Sequence, residues 1–93
     1  MRSLILTTLE FAVSFVPQDW RPFAFTMVSA VRATSWGADD ERWKEFSALV
    51  EKWLRDVMAA AEAADERVAR QARIATELFM TREMRRLGLL QAV

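Results

Sequence analysis

The chain of 93 residues contains no histidine, cysteine, tyrosine or asparagine. Without histidine or cysteine it lacks the ligands of zinc, haem and iron–sulfur sites, the Ser-His-Asp and Cys-His nucleophiles, and disulfides. Carboxylate sites for magnesium or glycoside hydrolysis need only Asp and Glu, but most of the acids lie on helix faces predicted to be exposed. The sequence has no Gly-rich phosphate loop. We therefore predict a non-enzymatic protein with no metal, no cofactor and no small-molecule substrate.

An excess of charge of either sign is also missing. Thirteen basic residues balance thirteen acidic ones, so the formal net charge is zero. A strongly basic chain is drawn to nucleic acid or to anionic membranes without specificity, and this chain lacks that property. Any binding to such partners must come from a local patch.

Long hydrophobic runs are scarce as well. The run over residues 4–16 follows Arg2 and resembles the start of a signal peptide, but Glu10 interrupts it and no small-x-small cleavage site follows closely. A helix needs about 20 apolar residues to cross a bilayer, which is more than this run supplies. We expect neither a signal peptide nor a transmembrane helix, and an intracellular location.

Residues 1–37 are predicted to form a helical hairpin. Alternation along residues 8–15 also fits a strand, but Thr7, Glu10 and Ser14 lie at helical spacing and form one narrow polar stripe on an otherwise apolar helix. Pro17 ends this helix. A second helix is predicted to begin at Pro22, a residue favoured in the first turn, and to run to about residue 34.

Residues 38–93 are predicted to form one long amphipathic helix and a short tail. Gly37 suits the C-cap of the preceding helix, and Asp39 to Glu41 place negative charge at a new helix N-terminus. Apolar positions from Trp43 to Phe79 then recur about every 3.6 residues, the period of a straight helix. The interpretation is a single all-α domain, a short N-terminal helical hairpin packed on one long helix over residues 39–87. The alternative is a four-helix arrangement with a turn near Ala64-Asp65.

Such a long helix predicts a protein that associates with others. At about 1.5 Å per residue it measures on the order of 70 Å, whereas each hairpin helix covers only about 20 Å. A chain of this size is also marginally stable alone, because it buries only about 60 to 65% of its unfolded surface. We therefore predict a homo-oligomer or a small structural subunit of a larger assembly. The predicted protein interface comprises Trp20, Trp36, Trp43, Phe46, Val50, Trp53, Val57, Val68 and Phe79, of which the tryptophans also suit the core.

Two alternative functions remain open. Arginines cluster near the C-terminus, and such a row on a helical dimer could track the phosphates of duplex nucleic acid, double-stranded RNA in particular. Glu66 and Glu77 stand on the same face and could instead pair with them. The second alternative is a hairpin lying in a membrane interface with Trp20 and Arg21 at its tip. The candidate nucleic-acid residues are Arg67, Arg70, Arg73, Arg82, Arg85 and Arg86.

Overall fold

The computed structural model describes residues 1–91, and within that range it is helical with no strand. The four α-helices are α1 (Arg2–Phe15), α2 (Arg21–Ala33), α3 (Arg42–Ala61) and α4 (Glu66–Leu87). A turn of 3-10 helix over Gln18–Trp20 leads into α2. The predicted all-α class is confirmed.

The helices pair into two hairpins, α1 with α2 and α3 with α4. In the first hairpin Val16 takes an extended conformation before Pro17, as residues before proline usually do. Pro22 lies in the first turn of α2, where its missing N–H leaves no helical hydrogen bond unmade. The backbone measures 42 × 28 × 18 Å, so its thinnest dimension holds about two helix layers. The predicted N-terminal hairpin is confirmed.

The single long helix over residues 39–87 is wrong, and the four-helix alternative is correct. α3 ends at Ala61, and α4 begins at Glu66. Between them Asp65 takes an extended conformation (φ −107°, ψ 121°), and its carboxylate accepts a hydrogen bond from the Arg67 N–H at 2.8 Å. A carboxylate in this position satisfies one of the free N–H groups of the new helix, so the chain turns here without glycine or proline.

The buried face of α4 explains why the regular apolar spacing misled the prediction. The spacing placed residues 68, 72, 75 and 79 on the buried stripe, but the buried residues are Thr76, Met80, Met84 and Leu87. The true face is thus displaced by one residue, or about 100° around the helix. Burying each methionine is worth roughly 1.5 to 3 kcal/mol, which exceeds the helix propensity that the alanines near the turn give up.

Two tryptophan pairs pack the first hairpin and the loop that follows it against α3. Trp20 meets Trp53 of α3 edge to face, with ring centroids 6.1 Å apart. Trp36 meets Trp43 in the same way at 4.9 Å. All four side chains are buried, Trp43 and Trp53 completely. Aromatic pairs in this geometry contribute about 0.5 to 1.5 kcal/mol beyond their area.

The loop between the hairpins begins earlier than predicted. Gly37 is not the C-cap of α2, because that helix ends at Ala33 and Thr34 is already extended. The Thr34 hydroxyl oxygen accepts from the Trp36 N–H at 3.4 Å, which directs the tryptophan back toward the core. The Gly37 carbonyl instead accepts from Trp43 Nε1 at 2.8 Å. This contact connects the loop to the first turn of α3.

One arginine binds this loop to the end of α4. The Arg42 guanidinium lies 4.2 Å from the centroid of the Trp36 ring and forms an ion pair of 2.7 Å with Asp40. Its Nη1 also donates to the Leu87 carbonyl at 3.1 Å. Arg42 therefore holds the start of α3 and the C-terminus of α4 together.

Candidate interaction surface

α1 carries an exposed apolar stripe in addition to its buried face. Leu4, Phe11 and Phe15 are 67%, 66% and 75% exposed, whereas Ile5 and Leu9 are buried. The exposed three lie seven and eleven residues apart, which places them on one side of the helix. A helix that is apolar on both sides normally has neighbours on both sides. The described chain covers only one side of α1.

α3 borders this stripe and completes a groove. Met58, which is 66% exposed, and Leu54 form one wall, and Phe11 and Phe15 form the other. The groove has a volume of about 510 Å³. We call the exposed stripe of α1 together with this groove the α1–α3 surface. The groove is lined by Thr8, Phe11, Ala12, Phe15, Val16, Pro17, Leu54, Val57, Met58 and Ala61.

The groove has no charged side chain, and its two phenylalanine rings pack against each other. Of the described residues that line it, Thr8 alone has a polar side chain. The rings of Phe11 and Phe15 lie 5.2 Å apart between centroids, tilted by 31°. Residues at this helical spacing support each other's orientation, so less side-chain freedom is lost when a partner covers them. The chemistry that the groove offers is burial of apolar surface.

Seven of the nine predicted interface residues lie inside this chain. α4 folds back on α3, so the stripe that a single long helix would expose becomes core. Val68 remains 53% exposed, and Phe79 is half-buried beneath the Lys52 ammonium, 4.7 Å from the ring centroid. A partner must therefore bind elsewhere than on the buried seven. The buried residues are Trp20, Trp36, Trp43, Phe46, Val50, Trp53 and Val57.

Sequence reasoning missed Leu4, Phe11, Phe15 and Met58 as surface residues. For α1 the signal was present, because its polar stripe of residues 7, 10 and 14 is exposed as predicted and is too narrow to be the whole solvent side of a surface helix. Met58 had no such signal, since its exposure depends on where α1 lies beside α3.

Two of the six candidate arginines form ion pairs. Arg73 Nη1 lies 3.2 Å from Glu77 Oε1, as predicted. Arg86 binds Glu83 at 3.0 Å and Glu45 of α3 at 2.6 Å. These two carboxylates raise the pKa of Arg86 above its ordinary value, and the hydrogen bond that Arg86 donates to Glu83 is the larger cause. Arg73 therefore forms its ion pair within α4, and Arg86 also links α4 to α3.

The other four arginines line the outer side of α4. Arg67, Arg70, Arg82 and Arg85 are exposed, and no ion pair forms between them and any residue that the structure describes. The expected pairing of Glu66 with Arg70 is not formed. Two large apolar side chains, Ile74 and Leu78, are 45% and 63% exposed on the same side. The outer side of α4 thus has Arg67 and Arg70 near its start, Arg82 and Arg85 near its end, and an apolar segment between them.

A part-buried polar cluster links α3 to α4. Asp56 Oδ2 lies 2.6 Å from Lys52 Nζ and accepts from the Thr76 hydroxyl at 2.9 Å. Thr76 is only 5% exposed, so a substrate cannot reach its hydroxyl. Residues 1–91 include no group of three or more carboxylate, His or Cys side chains placed to hold a metal ion.

The hairpin tip differs from the predicted membrane anchor. Trp20 is buried against Trp53, so it does not project toward a membrane interface beside Arg21. Within the described chain, none of the helices combines the length and the apolar character needed to cross a bilayer.

No family model, no curated protein and no solved structure matches the chain. Its function is therefore inferred from its own surfaces.

Proposed function

We propose that the chain is a non-enzymatic protein-association module that enters a homo-oligomer or a larger assembly through the α1–α3 surface. The observation that carries the proposal is the exposure of Phe11, Phe15 and Met58 along an uncharged groove, with Leu4 exposed further along the same side of α1; each of the four is about two-thirds or more exposed. Continuous apolar patches of this kind mark interaction sites on soluble proteins. Nothing within the described residues covers these side chains.

The exposed side chains supply only part of a standard interface. The four exposed side chains together present roughly 500 Å². A standard interface buries about 800 Å² on each partner. The rim of the groove must therefore supply the remaining area.

Sedimentation equilibrium of the purified chain tests the proposal. We expect the average mass to rise above that of the monomer in the micromolar range, because the exposed surface associates. The double variant Phe11→Gln/Phe15→Gln is expected to remain monomeric and folded, since both side chains are exposed. Phe25→Gln is the matched control, because Phe25 is 56% exposed on α2 and does not line the groove. A wild-type chain that stays monomeric throughout, or association that the double variant leaves intact, overturns the proposal.

A second candidate function is binding of duplex nucleic acid through the outer face of α4. The observation that favours it is the set of four arginines without ion pairs, Arg67, Arg70, Arg82 and Arg85. From the first to the last of them the helix rises about 27 Å, which is enough to reach several phosphates. The exposed Ile74 and Leu78 between them count against it, because apolar side chains gain nothing from contact with phosphates.

A salt titration of binding to double-stranded RNA tests this second function. Affinity should fall steeply as salt rises, and the triple variant Arg67→Ala/Arg70→Ala/Arg85→Ala should reduce the slope by about one per arginine lost. Arg55→Ala, which removes an exposed arginine from α3, is the control and should change the slope little. Binding that ignores salt, or that survives the triple variant, excludes phosphate contacts by this face.

A further inference from the structure

We propose that the partner of the α1–α3 surface is a second copy of this chain, in a closed two-fold dimer where each copy places its Phe11–Phe15 pair in the groove of the other. The inference rests on the proposed function and names the partner and its symmetry. A two-fold interface uses the same patch on both copies, so that patch must be complementary to itself.

The α1–α3 surface has this self-complementarity. The exposed Phe11–Phe15 pair forms one wall of the groove and faces the wall formed by Leu54 and Met58, so one patch carries both the rings to insert and the groove that receives them. When two such surfaces meet about a two-fold axis, each projecting pair faces the groove of the other copy. A surface with only a projection, or only a groove, would need a different partner.

The groove is also large enough. A cavity of about 150 Å³ accommodates one benzene ring, and the groove measures about 510 Å³. It therefore has room for the two phenyl rings of the opposite copy. Insertion would cover the side chains of Phe15 and Met58 on both copies at once, and these are among the most exposed large apolar side chains of the described chain.

Charge favours a second copy over a strongly charged partner. The described lining of the groove has no charged side chain, so an acidic or basic partner would find no counter-charge there. The formal net charge of the chain is zero, so two copies approach each other without mutual repulsion. The test must separate this dimer from two alternatives. One is binding of an apolar helix from another protein, and the other is association that continues beyond two copies.

Complementary charges placed on the two sides of the predicted contact test the symmetry. Phe15→Arg and Met58→Glu each put an unpaired charge into the interface and should each weaken dimerisation at least about 30-fold. Both side chains are largely exposed, so the variants should fold, as far-UV circular dichroism will check. Mixed in equal amounts, they should form a heterodimer with one Arg–Glu contact and one native Phe15–Met58 contact. Its dissociation constant is expected to lie within about tenfold of that of the wild type.

The control mixture combines Met58→Glu with Phe25→Arg, whose new charge lies on α2 outside the groove. The heterodimer in this mixture should be no tighter than the heterodimer of Met58→Glu with the wild type. A wild-type mass that levels off at twice the monomer supports the closed dimer, and one that keeps rising overturns it. A mixture of Phe15→Arg and Met58→Glu that associates no better than either variant alone also overturns it. In both cases association itself, and with it the proposed function, survives. A wild-type chain that is monomeric at every concentration removes both.

Discussion

Replacing Gly88 by alanine should destabilise the protein through backbone conformation alone. Gly88 caps α4 in the left-handed region (φ 84°, ψ 14°), and the following N–H of Leu89 donates to the Met84 carbonyl at 2.8 Å. A side chain in this conformation costs about 1 to 2 kcal/mol. The new Cβ would lie 3.6 Å from Arg42 Nη1, an ordinary contact, so no steric clash adds to that cost. For a chain of this length each kcal/mol corresponds to a fall of about 4 to 8 °C in Tm.

Gly37 provides the matched control for this prediction. Its φ is not in the left-handed region, and a Cβ there would have nothing within 4 Å. Gly37→Ala should therefore raise the free energy of unfolding by about 0.4 to 1 kcal/mol, because alanine restricts the unfolded chain. Urea unfolding followed by circular dichroism measures both variants. Gly88→Asn should cost less than Gly88→Ala, since asparagine tolerates this conformation better. If Gly88→Ala proved as stable as the wild type, the left-handed cap would not be the structure of α4 in solution.

Two further predictions concern local electrostatics and capping. Asp65→Ala removes the acceptor for the Arg67 N–H and should lower the free energy of unfolding by about 0.5 to 2 kcal/mol, whereas Asp65→Asn should cost much less; urea unfolding compares them. The hydrogen bond from Arg42 lowers the pKa of Asp40 from 3.8 to about 2, which an NMR titration of the carboxyl will measure. Because the folded pKa is the lower one, the ion pair contributes stability in full above 3.8, and this contribution is lost as the pH falls through about 2. Asp40→Asn should remove that part of the acid dependence.

Specific results would contradict the predictions for Asp65 and Asp40. Equal stability of Asp65→Ala and the wild type would mean that the turn between α3 and α4 does not depend on the carboxylate. An Asp40 carboxyl that titrates at its ordinary pKa of 3.8 would mean that Arg42 does not hold it in solution. In that case the contact between the loop and the end of α4 would also be in doubt.

The helix boundaries that could be predicted were those that the local sequence determines. Pro17 and Pro22 marked the first hairpin because proline restricts the backbone wherever it stands. The sequence left open a turn near Ala64-Asp65, but periodicity gave no reason to prefer it. The turn is favoured by contacts between residues far apart in the sequence, such as Asp56 with Thr76 and Arg86 with Glu45. An analysis of helical spacing cannot detect such contacts.

The candidate surface was harder to predict than the fold. Apolar side chains that belong to the core and those that face a partner have the same composition, so Trp53 and Phe15 could not be separated by type. What separates them is the position of α1 relative to α3, which only the tertiary structure defines. The arginine face was recognised in the sequence, and so was the Arg73–Glu77 pair, whereas the contact of Arg86 with Glu45 depends on where α3 lies.

The tryptophan pairs give the molecule an optical property. The chain has four tryptophans and no tyrosine, so its near-ultraviolet emission comes almost wholly from indole rings. One of the two pairs spans the hairpins, and all four rings are buried. Separation of the hairpins would expose Trp20 and Trp53 to water and shift their emission to longer wavelengths. Intrinsic fluorescence, without any added label, thus reports the docking of one hairpin on the other.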